Sequence, residues 1–122
     1  MPPDHRQTLG KFGEDVACAE LGRRGYAVLA RRYRTRMGEI DIIARDGETI
    51  VFVEVKARAD PRFGGGAAAI TLWKQRRIAQ MALGFLSRYG LTTAPCRFDV
   101  VVVDVDADKV RVAVFVNAFD VR

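Results

Sequence analysis

Aliphatic residues alternate with other residues in two neighbouring segments of the chain, 38–44 and 50–56. Alternation with a period of two is typical of strands that bury one face. Asp46-Gly47 lies between the segments, and Asp-Gly favours a tight hairpin turn. The pattern therefore predicts an antiparallel β-hairpin with an unusually apolar second strand.

The predicted hairpin collects acidic residues on one face. If its connection has an even number of residues, with Arg45 opposite Glu48, then Glu39 lies opposite Glu54. Asp41 is then diagonal to Glu54, close enough for both carboxylates to reach one ion. A loop of odd length would flip one strand and separate the acids. The other face is predicted to be uniformly aliphatic and to carry Ile40, Ile42, Val51, Val53 and Val55.

Residues 8 to about 24 show helical periodicity, with Thr8 as a candidate N-cap and Gly25 as a stop. One face of this helix has small and apolar side chains that would allow close approach to a sheet. Glu14 is the single acid on that face. Burying it is costly unless it is paired or bound to a cation.

A second helix is predicted from about Thr71, another candidate N-cap, to Tyr89 before Gly90. The segment 59–66 before it contains proline and three glycines, and predicts a loop that either moves over a ligand or serves only as a connector. Trp73 and the other large apolar residues of this helix are assigned to the core. The predicted apolar stripe comprises Ile70, Trp73, Ile78, Met81, Ala82, Phe85 and Leu86.

Three further strands are predicted at 26–33, 97–105 and 110–116, with a turn at 106–109. The four consecutive valines at 100–103 indicate a strand covered on both faces. The order is thus helix, three strands, helix, two strands. It predicts one α/β domain over all 122 residues, with a central mixed β-sheet of about five strands flanked by helices.

Composition limits the classes of protein that need consideration. No apolar run approaches the roughly 20 residues that span a bilayer, and the N-terminus lacks the apolar core of a signal peptide. Cys18 and Cys96 have no metal-ligand spacing and suggest no disulfide framework. We therefore expect a cytoplasmic protein with no membrane partner.

Basic residues are concentrated in parts of the chain, which has a net charge of +5. Six arginines and no acid lie between Arg23 and Arg36, and a second basic set runs from Lys56 to Arg77. A clustered basic surface suits nucleic acid, because neutralising phosphates releases counterions. Charge alone fits a solvated arginine-rich surface equally well.

The acidic face of the hairpin suits phosphodiester hydrolysis, which requires an activated water and stabilisation of developing negative charge. Magnesium is held by a few carboxylate or carbonyl oxygens and keeps several waters. Asp41, Glu54 and the Val55 carbonyl would supply such oxygens. Lys56, two positions after Glu54 and on the same face, would orient the attacking water or neutralise the transition state. The plainer alternative is an exposed salt-bridge face.

The arrangement Asp41…Glu54-Val55-Lys56 resembles the PD-(D/E)xK nuclease signature of the restriction-endonuclease-like fold. The order of the motif blocks resembles the bacterial YraN-like family, which is similar to archaeal Holliday junction resolvases. The resemblance implies that Glu14, Asp41 and Glu54 ligate Mg²⁺ or Mn²⁺, with Lys56 as the catalytic base. The blocks are Gly13-Glu14, Gly38-Glu39-Ile40-Asp41, Phe52-Val53-Glu54-Val55-Lys56, Lys74-Gln75-Arg76 and Arg97-Phe98-Asp99-Val100.

The resemblance predicts a magnesium-dependent endonuclease or resolvase-like hydrolase acting on nucleic acid. We expect DNA, either branched or single-stranded, and a homodimer is plausible by analogy with resolvases. The alternatives are a nucleic-acid-binding module that does not cut and an adaptor for a protein partner. An ordinary charged helix face explains part of the basic set equally well. The candidate nucleic-acid contacts are Arg34, Arg36, Arg58, Lys74, Gln75 and Arg76.

Overall fold

The computed structural model describes residues 5–59 and 70–120, with side chains from residue 8 onwards. Within these residues the chain forms two helices and five strands in the predicted order. The predicted loop at 59–66 lies outside the described residues, apart from Ala59. The elements are α1 (His5–Arg23), β1 (Ala27–Thr35), β2 (Gly38–Asp46), β3 (Thr49–Arg58), α2 (Leu72–Arg88), β4 (Cys96–Asp106) and β5 (Lys109–Phe119).

The five described strands form one open mixed sheet in the order β1-β2-β3-β4-β5. β3 and β4 pair in parallel, and the other neighbours pair antiparallel. A parallel pair needs a crossover connection, and α2 lies in it. This architecture confirms the predicted fold class and is consistent with the restriction-endonuclease-like fold.

Each face of the sheet is covered by one helix. The α1-side core joins Ala17 and Leu21 to residues of the central strands, whereas the α2-side core joins five residues of α2 to the opposite sheet face. Val101 and Val103 belong to the first core, and Val100 and Val102 to the second. The prediction that the valine strand is covered on both faces is therefore confirmed. The α2 residues in the core are Ile78, Met81, Ala82, Phe85 and Leu86.

Helix α1 lies close to β3 because Gly13 has no side chain. A Cβ atom at this position would stand 2.6 Å from the Cβ of Ala57, nearer than real Cβ contacts. The helix begins at His5, before the predicted Thr8, and ends at Arg23. Gly25 follows with φ of +88°, a conformation that favours glycine after a helix.

Helix α2 begins as predicted, since Thr71 Oγ1 accepts a hydrogen bond from the Lys74 amide at 3.2 Å. The assignment of Trp73 to the core is wrong, because its side chain is 66% exposed. At 100° per residue, Trp73 lies about 140° around the helix from buried Ile78. Lys74 and Gln75, four and three residues before Ile78, lie on the sheet-facing side instead.

Candidate metal and nucleic-acid site

A cleft of about 1060 Å³ lies at the C-terminal end of β3, between the first half of α1 and the start of α2. Its lining includes all four residues that the resemblance implicated in catalysis, together with the Val55 backbone position. Glu14 comes from α1, Asp41 from β2, and the others from β3. The fold therefore brings together segments that are far apart in the chain. The shared residues are Glu14, Asp41, Glu54, Val55 and Lys56.

The hairpin register differs from the predicted one by two residues. Asp46 pairs with Thr49, so that Gly47-Glu48 forms the loop, and Arg45 lies opposite Ile50. Of the two loop residues, Gly47 and Glu48, only Gly47 has a positive φ, +60°. A loop formed by Asp46 and Gly47 would favour a positive φ at both residues. A shift of two positions preserves the parity of the pairing, and it brings Asp41 level with Glu54.

The regular alternation of β1 and β2 breaks at Arg32 and Asp41. Ile42 belongs to the α1-side core, but Ile40 belongs to the α2-side core. The prediction that both isoleucines share a face is therefore wrong. Arg32, at the position of β1 opposite Asp41, has φ of +50°, which is unusual for a residue with a side chain. The same break occurs in β1, where Ala30 and Tyr33, three residues apart, both pack on the α2 side.

The Asp41 carboxylate occupies the place where β2 and β3 separate. The antiparallel ladder ends at Ile42 and Val53, and Asp41 Oδ2 then accepts a hydrogen bond from the Val55 amide at 2.8 Å. In an extended strand the amide and carbonyl of one residue point to the same neighbouring strand. The Val55 carbonyl is therefore directed to the same side of β3 as Asp41.

Asp41 and Glu54 are in direct side-chain contact at the base of the cleft. Burial, and next the negative charge of Glu54, raise the pKa of Asp41 to about 7. The Val55 amide and the Lys74 ammonium act in the opposite direction. Two adjacent buried carboxylates repel each other unless a proton or a cation lies between them.

Lys74 supplies positive charge to this pair. Its Nζ forms a salt bridge with Glu54 Oε1, reaching from the first turn of α2 to β3. Glu54 is 7% exposed, so the contact lies at the boundary between the core and the cleft. Lys74, one of the six candidate nucleic-acid contacts, thus touches a candidate catalytic acid.

Glu14 is held by arginines of β1. Its two oxygens accept hydrogen bonds of 2.9 Å from Arg31 Nε and from Arg32 Nε. Arg31 also bonds Asp15 at 2.5 Å, so it joins two acids of α1. Glu14 lines the cleft, but its negative charge is already neutralised by the two arginines of β1.

The remaining basic candidates have varied surroundings. Arg34 pairs with Glu39 at 3.0 Å, and Arg58 makes a bidentate pair with Asp104 at 2.6 and 2.9 Å. Gln75 donates its side-chain amide to the Ile70 carbonyl at 2.9 Å. Of these, only Arg58 lines the cleft. Arg36 and Arg76 are exposed.

Comparison with other proteins gives a consistent assignment. The family described as "Uncharacterised protein family UPF0102" matches residues 13–103. The chain belongs to this family. A UPF0102 protein of Geobacter sulfurreducens is 44% identical over 117 residues, 95% of this chain and 91% of the relative. The UPF0102 protein of Herminiimonas arsenicoxydans is 47% identical, over 84% of this chain and 82% of the relative. That of Symbiobacterium thermophilum is 46% identical, over 91% of this chain and 95% of the relative.

Membership of UPF0102 confirms the YraN-like resemblance drawn from the motif blocks. The matched segment contains the whole candidate set from Glu14 to Lys56 and the first turn of α2. Neither described helix is long and apolar enough to cross a membrane.

The fit of a metal ion to this UPF0102 chain rests on two carboxylates. Among the described residues, no three histidine, cysteine, aspartate or glutamate side chains are grouped as a metal cage. Asp41, Glu54 and the Val55 carbonyl nevertheless form an oxygen-rich set of the kind that Mg²⁺ accepts when water and substrate phosphate complete its shell. The donor set fits a hard divalent cation, with Glu14 outside it.

Sequence reasoning missed the two arginines that pair with Glu14. The signal was present, because Glu14 was recognised as an acid needing a partner and six arginines without an acid follow between Arg23 and Arg36. Which arginines would reach Glu14 depends on the close packing of α1 at Gly13 and on the irregular backbone at Arg32. Neither the packing of α1 nor the backbone at Arg32 can be predicted from the alternation of apolar residues.

Proposed function

We propose that this chain is a divalent-metal-dependent nuclease that hydrolyses phosphodiester bonds in DNA, with branched or single-stranded DNA as the substrate. The observation that carries the proposal is the contact between Asp41 and Glu54 in an open cleft, beside Lys56. Placing a partly buried and a buried acid together raises the free energy of the protein alone. A bound cation would offset the repulsion between the two carboxylates and would supply the activated water that hydrolysis requires.

Asp41, Glu54 and the Val55 carbonyl would hold Mg²⁺ or Mn²⁺. When bound, such an ion lowers the pKa of a coordinated water and stabilises charge on the phosphoryl oxygens. The Val55 amide fixes the Asp41 carboxylate through its hydrogen bond at 2.8 Å, so the acid is oriented before any ligand arrives. Lys56 would act as the base or orient the attacking water.

Basic residues around the cleft would receive the DNA backbone. Arg32, Lys56, Arg58 and Lys74 line it. Lys74 holds Glu54 in the described structure, and a cation between the two acids would free its ammonium for a phosphate. Positive charge at the rim and negative charge at the base suit a polyanion whose scissile phosphate meets a metal ion.

A DNA-binding module that does not cut is the second candidate. It is favoured by the ion pairs that already neutralise the acids, Glu14 with two arginines and Glu54 with Lys74. An adaptor for a protein partner is a third interpretation, which rests on the basic surface alone. We propose a homodimer only by analogy with resolvases, whose junction substrates present two symmetric sites.

The test is a cleavage assay on a four-way junction, a single strand and a blunt duplex, with Mg²⁺, Mn²⁺ or chelator. Wild type should cut at least one substrate in metal and none in chelator. Asp41→Asn and Glu54→Gln should stop cutting while still binding DNA, and Glu48→Gln, in the hairpin turn, should behave as wild type. If no DNA is cut in either metal, the nuclease proposal fails. Binding without cutting would then favour the second candidate, and absence of binding near physiological salt would favour the adaptor.

A further inference from the structure

Trp73, the only tryptophan of the chain, lies on the surface. Its side chain is 66% exposed, and the helical phase of α2 directs it away from the core. A tryptophan carries a large apolar surface that folding normally removes from water. Its exposure is therefore a cost to the protein alone, which a ligand that covers the ring would remove.

The surroundings of the ring are those of a nucleic-acid contact. The Arg77 guanidinium lies over the Trp73 ring, 4.8 Å from its centroid. Arg77 is itself anchored, because its Nε donates to the Met37 carbonyl in the turn between β1 and β2. An anchored cation stacked on an indole holds the ring in a defined orientation and adds positive charge beside it.

The position of Trp73 connects it to the candidate active site. Its neighbours Thr71 and Lys74 line the cleft, and Lys74 contacts Glu54. The sequence of α2, residues 72–88, contains no acidic residue. A polyanion at this rim would therefore meet positive charge from Lys74, Arg76 and Arg77.

We propose that Trp73, backed by Arg77, is a stacking platform for an unpaired base of single-stranded DNA whose backbone enters the cleft. The inference rests on the proposed function in taking DNA as the ligand, and it narrows the substrate to DNA with an unpaired segment beside the cleft. An unpaired base exposes its π-face to an aromatic ring, whereas in a duplex the neighbouring bases cover it. The site therefore selects a single-stranded segment over a continuous duplex, without reading a particular base.

The single tryptophan makes the contact directly measurable. Titration of the wild-type protein with oligothymidylate in chelator should quench the Trp73 fluorescence, because the ring stacks on a base. A blunt duplex of the same length should quench it much less. Trp73→Leu should weaken binding of a labelled oligothymidylate about 5- to 150-fold in anisotropy measurements, the range found for base–aromatic stacking.

Two variants separate stacking from general loss of apolar surface. Trp73→Phe keeps an aromatic ring and should retain most of the affinity. Leu83→Ala removes a side chain that is also 66% exposed on α2, and should leave binding unchanged. Circular dichroism of each variant checks that the helix is intact. A Trp73→Leu protein that binds single strands as tightly as wild type would overturn the inference.

The remaining outcomes distinguish this inference from the proposed nuclease. If wild type binds and cuts DNA without a change in fluorescence, stacking is wrong and the nuclease proposal stands. If oligothymidylate quenches Trp73 and Trp73→Leu binds weakly, stacking stands even when no cutting is found. If Trp73→Leu instead changes the oligomeric state in sedimentation and leaves the affinity unchanged, a second copy of the chain covers the ring and the inference is wrong. Absence of any DNA binding would overturn both proposals.

Discussion

Asp41 Oδ2 accepts a hydrogen bond from the Val55 amide at 2.8 Å, at the point where the ladder between β2 and β3 has ended. The side chain thus takes the place of a backbone acceptor and closes the opening between the two strands. This contact holds Asp41 against Glu54, the last buried residue of β3. The local break in the sheet and the candidate site are one feature of the structure.

The stability of the metal-free protein should depend on pH through Asp41. Its pKa is raised to about 7 from an unfolded value near 3.9, so the folded state binds more protons than the unfolded state between these values. The contribution of Asp41 to stability is therefore greatest below about pH 4 and is lost as the pH rises through 7. Asp41→Asn should gain about 2–4 kcal/mol relative to wild type near pH 8, and much less near pH 4.

Urea unfolding in chelator at both pH values measures this difference. Asp108→Asn, in the exposed turn between β4 and β5, is the matched control and should follow the wild-type dependence. A constant difference between Asp41→Asn and wild type at both pH values would show that burial beside Glu54 does not control the protonation of Asp41.

Removal of Lys74 should expose the repulsion between the two acids. Lys74→Met should lower the free energy of unfolding by about 1–3 kcal/mol in chelator near pH 8, because buried Glu54 loses its ion-pair partner. Added Mg²⁺ should reduce this loss, since the ion replaces the missing positive charge. Arg76→Met on the same helix should show little change in either condition. A loss of equal size with and without Mg²⁺ would argue against a metal between the acids.

The close approach of α1 to β3 should tolerate no side chain at residue 13. Gly13→Ala places a Cβ 2.6 Å from that of Ala57, so the helix must move and stability should fall by about 1–3 kcal/mol. Gly22→Ala is the control, because nothing lies within 4 Å of its added Cβ and alanine favours a helix by up to about 1 kcal/mol. Thermal unfolding of both variants gives the comparison. A Gly13→Ala protein as stable as Gly22→Ala would contradict the packing described.

Lys56 should affect the rate of DNA cleavage without affecting metal binding. Lys56→Met should lower kcat by about 10²- to 10⁴-fold, the range typical of a lost proton-transfer group. Lys11→Met removes another lysine of the same cleft, one that pairs with Asp15, and should leave kcat near the wild-type value. Single-turnover rates of wild type, Lys56→Met and Lys11→Met in Mn²⁺ give the comparison. Equal rates for the two variants would remove Lys56 from the mechanism.

The sequence predicted the elements and the shared acidic face because the apolar patterns are strong. Alternation in β2 and β3 places Asp41, Glu54 and Lys56 on one predicted face under any register of the right parity. It does not distinguish registers that differ by two residues. The choice depends on whether Asp46 or Gly47 opens the loop, and the pairing of Asp46 with Thr49 shows that Gly47 does.

Two other features depend on contacts between distant segments. The pairing of Glu14 with Arg31 and Arg32 requires α1 to dock at Gly13, which local periodicity cannot show. The prediction for Trp73 is wrong because apolar character alone does not give the angle of a helix residue from the core, which Ile78 marks here. Measuring that angle along the sequence would have placed the ring outside the core.

The most direct test of the central claim is a Mn²⁺ titration followed by electron paramagnetic resonance, which measures free and bound ion without requiring cleavage. Wild type should bind one Mn²⁺ per chain, and Asp41→Asn and Glu54→Gln should lose that binding. Glu39→Gln should retain it, because Glu39 lines the same cleft but pairs with Arg34. Equal Mn²⁺ binding by wild type and Asp41→Asn, or none by wild type, would contradict the metal site on which the proposed nuclease depends.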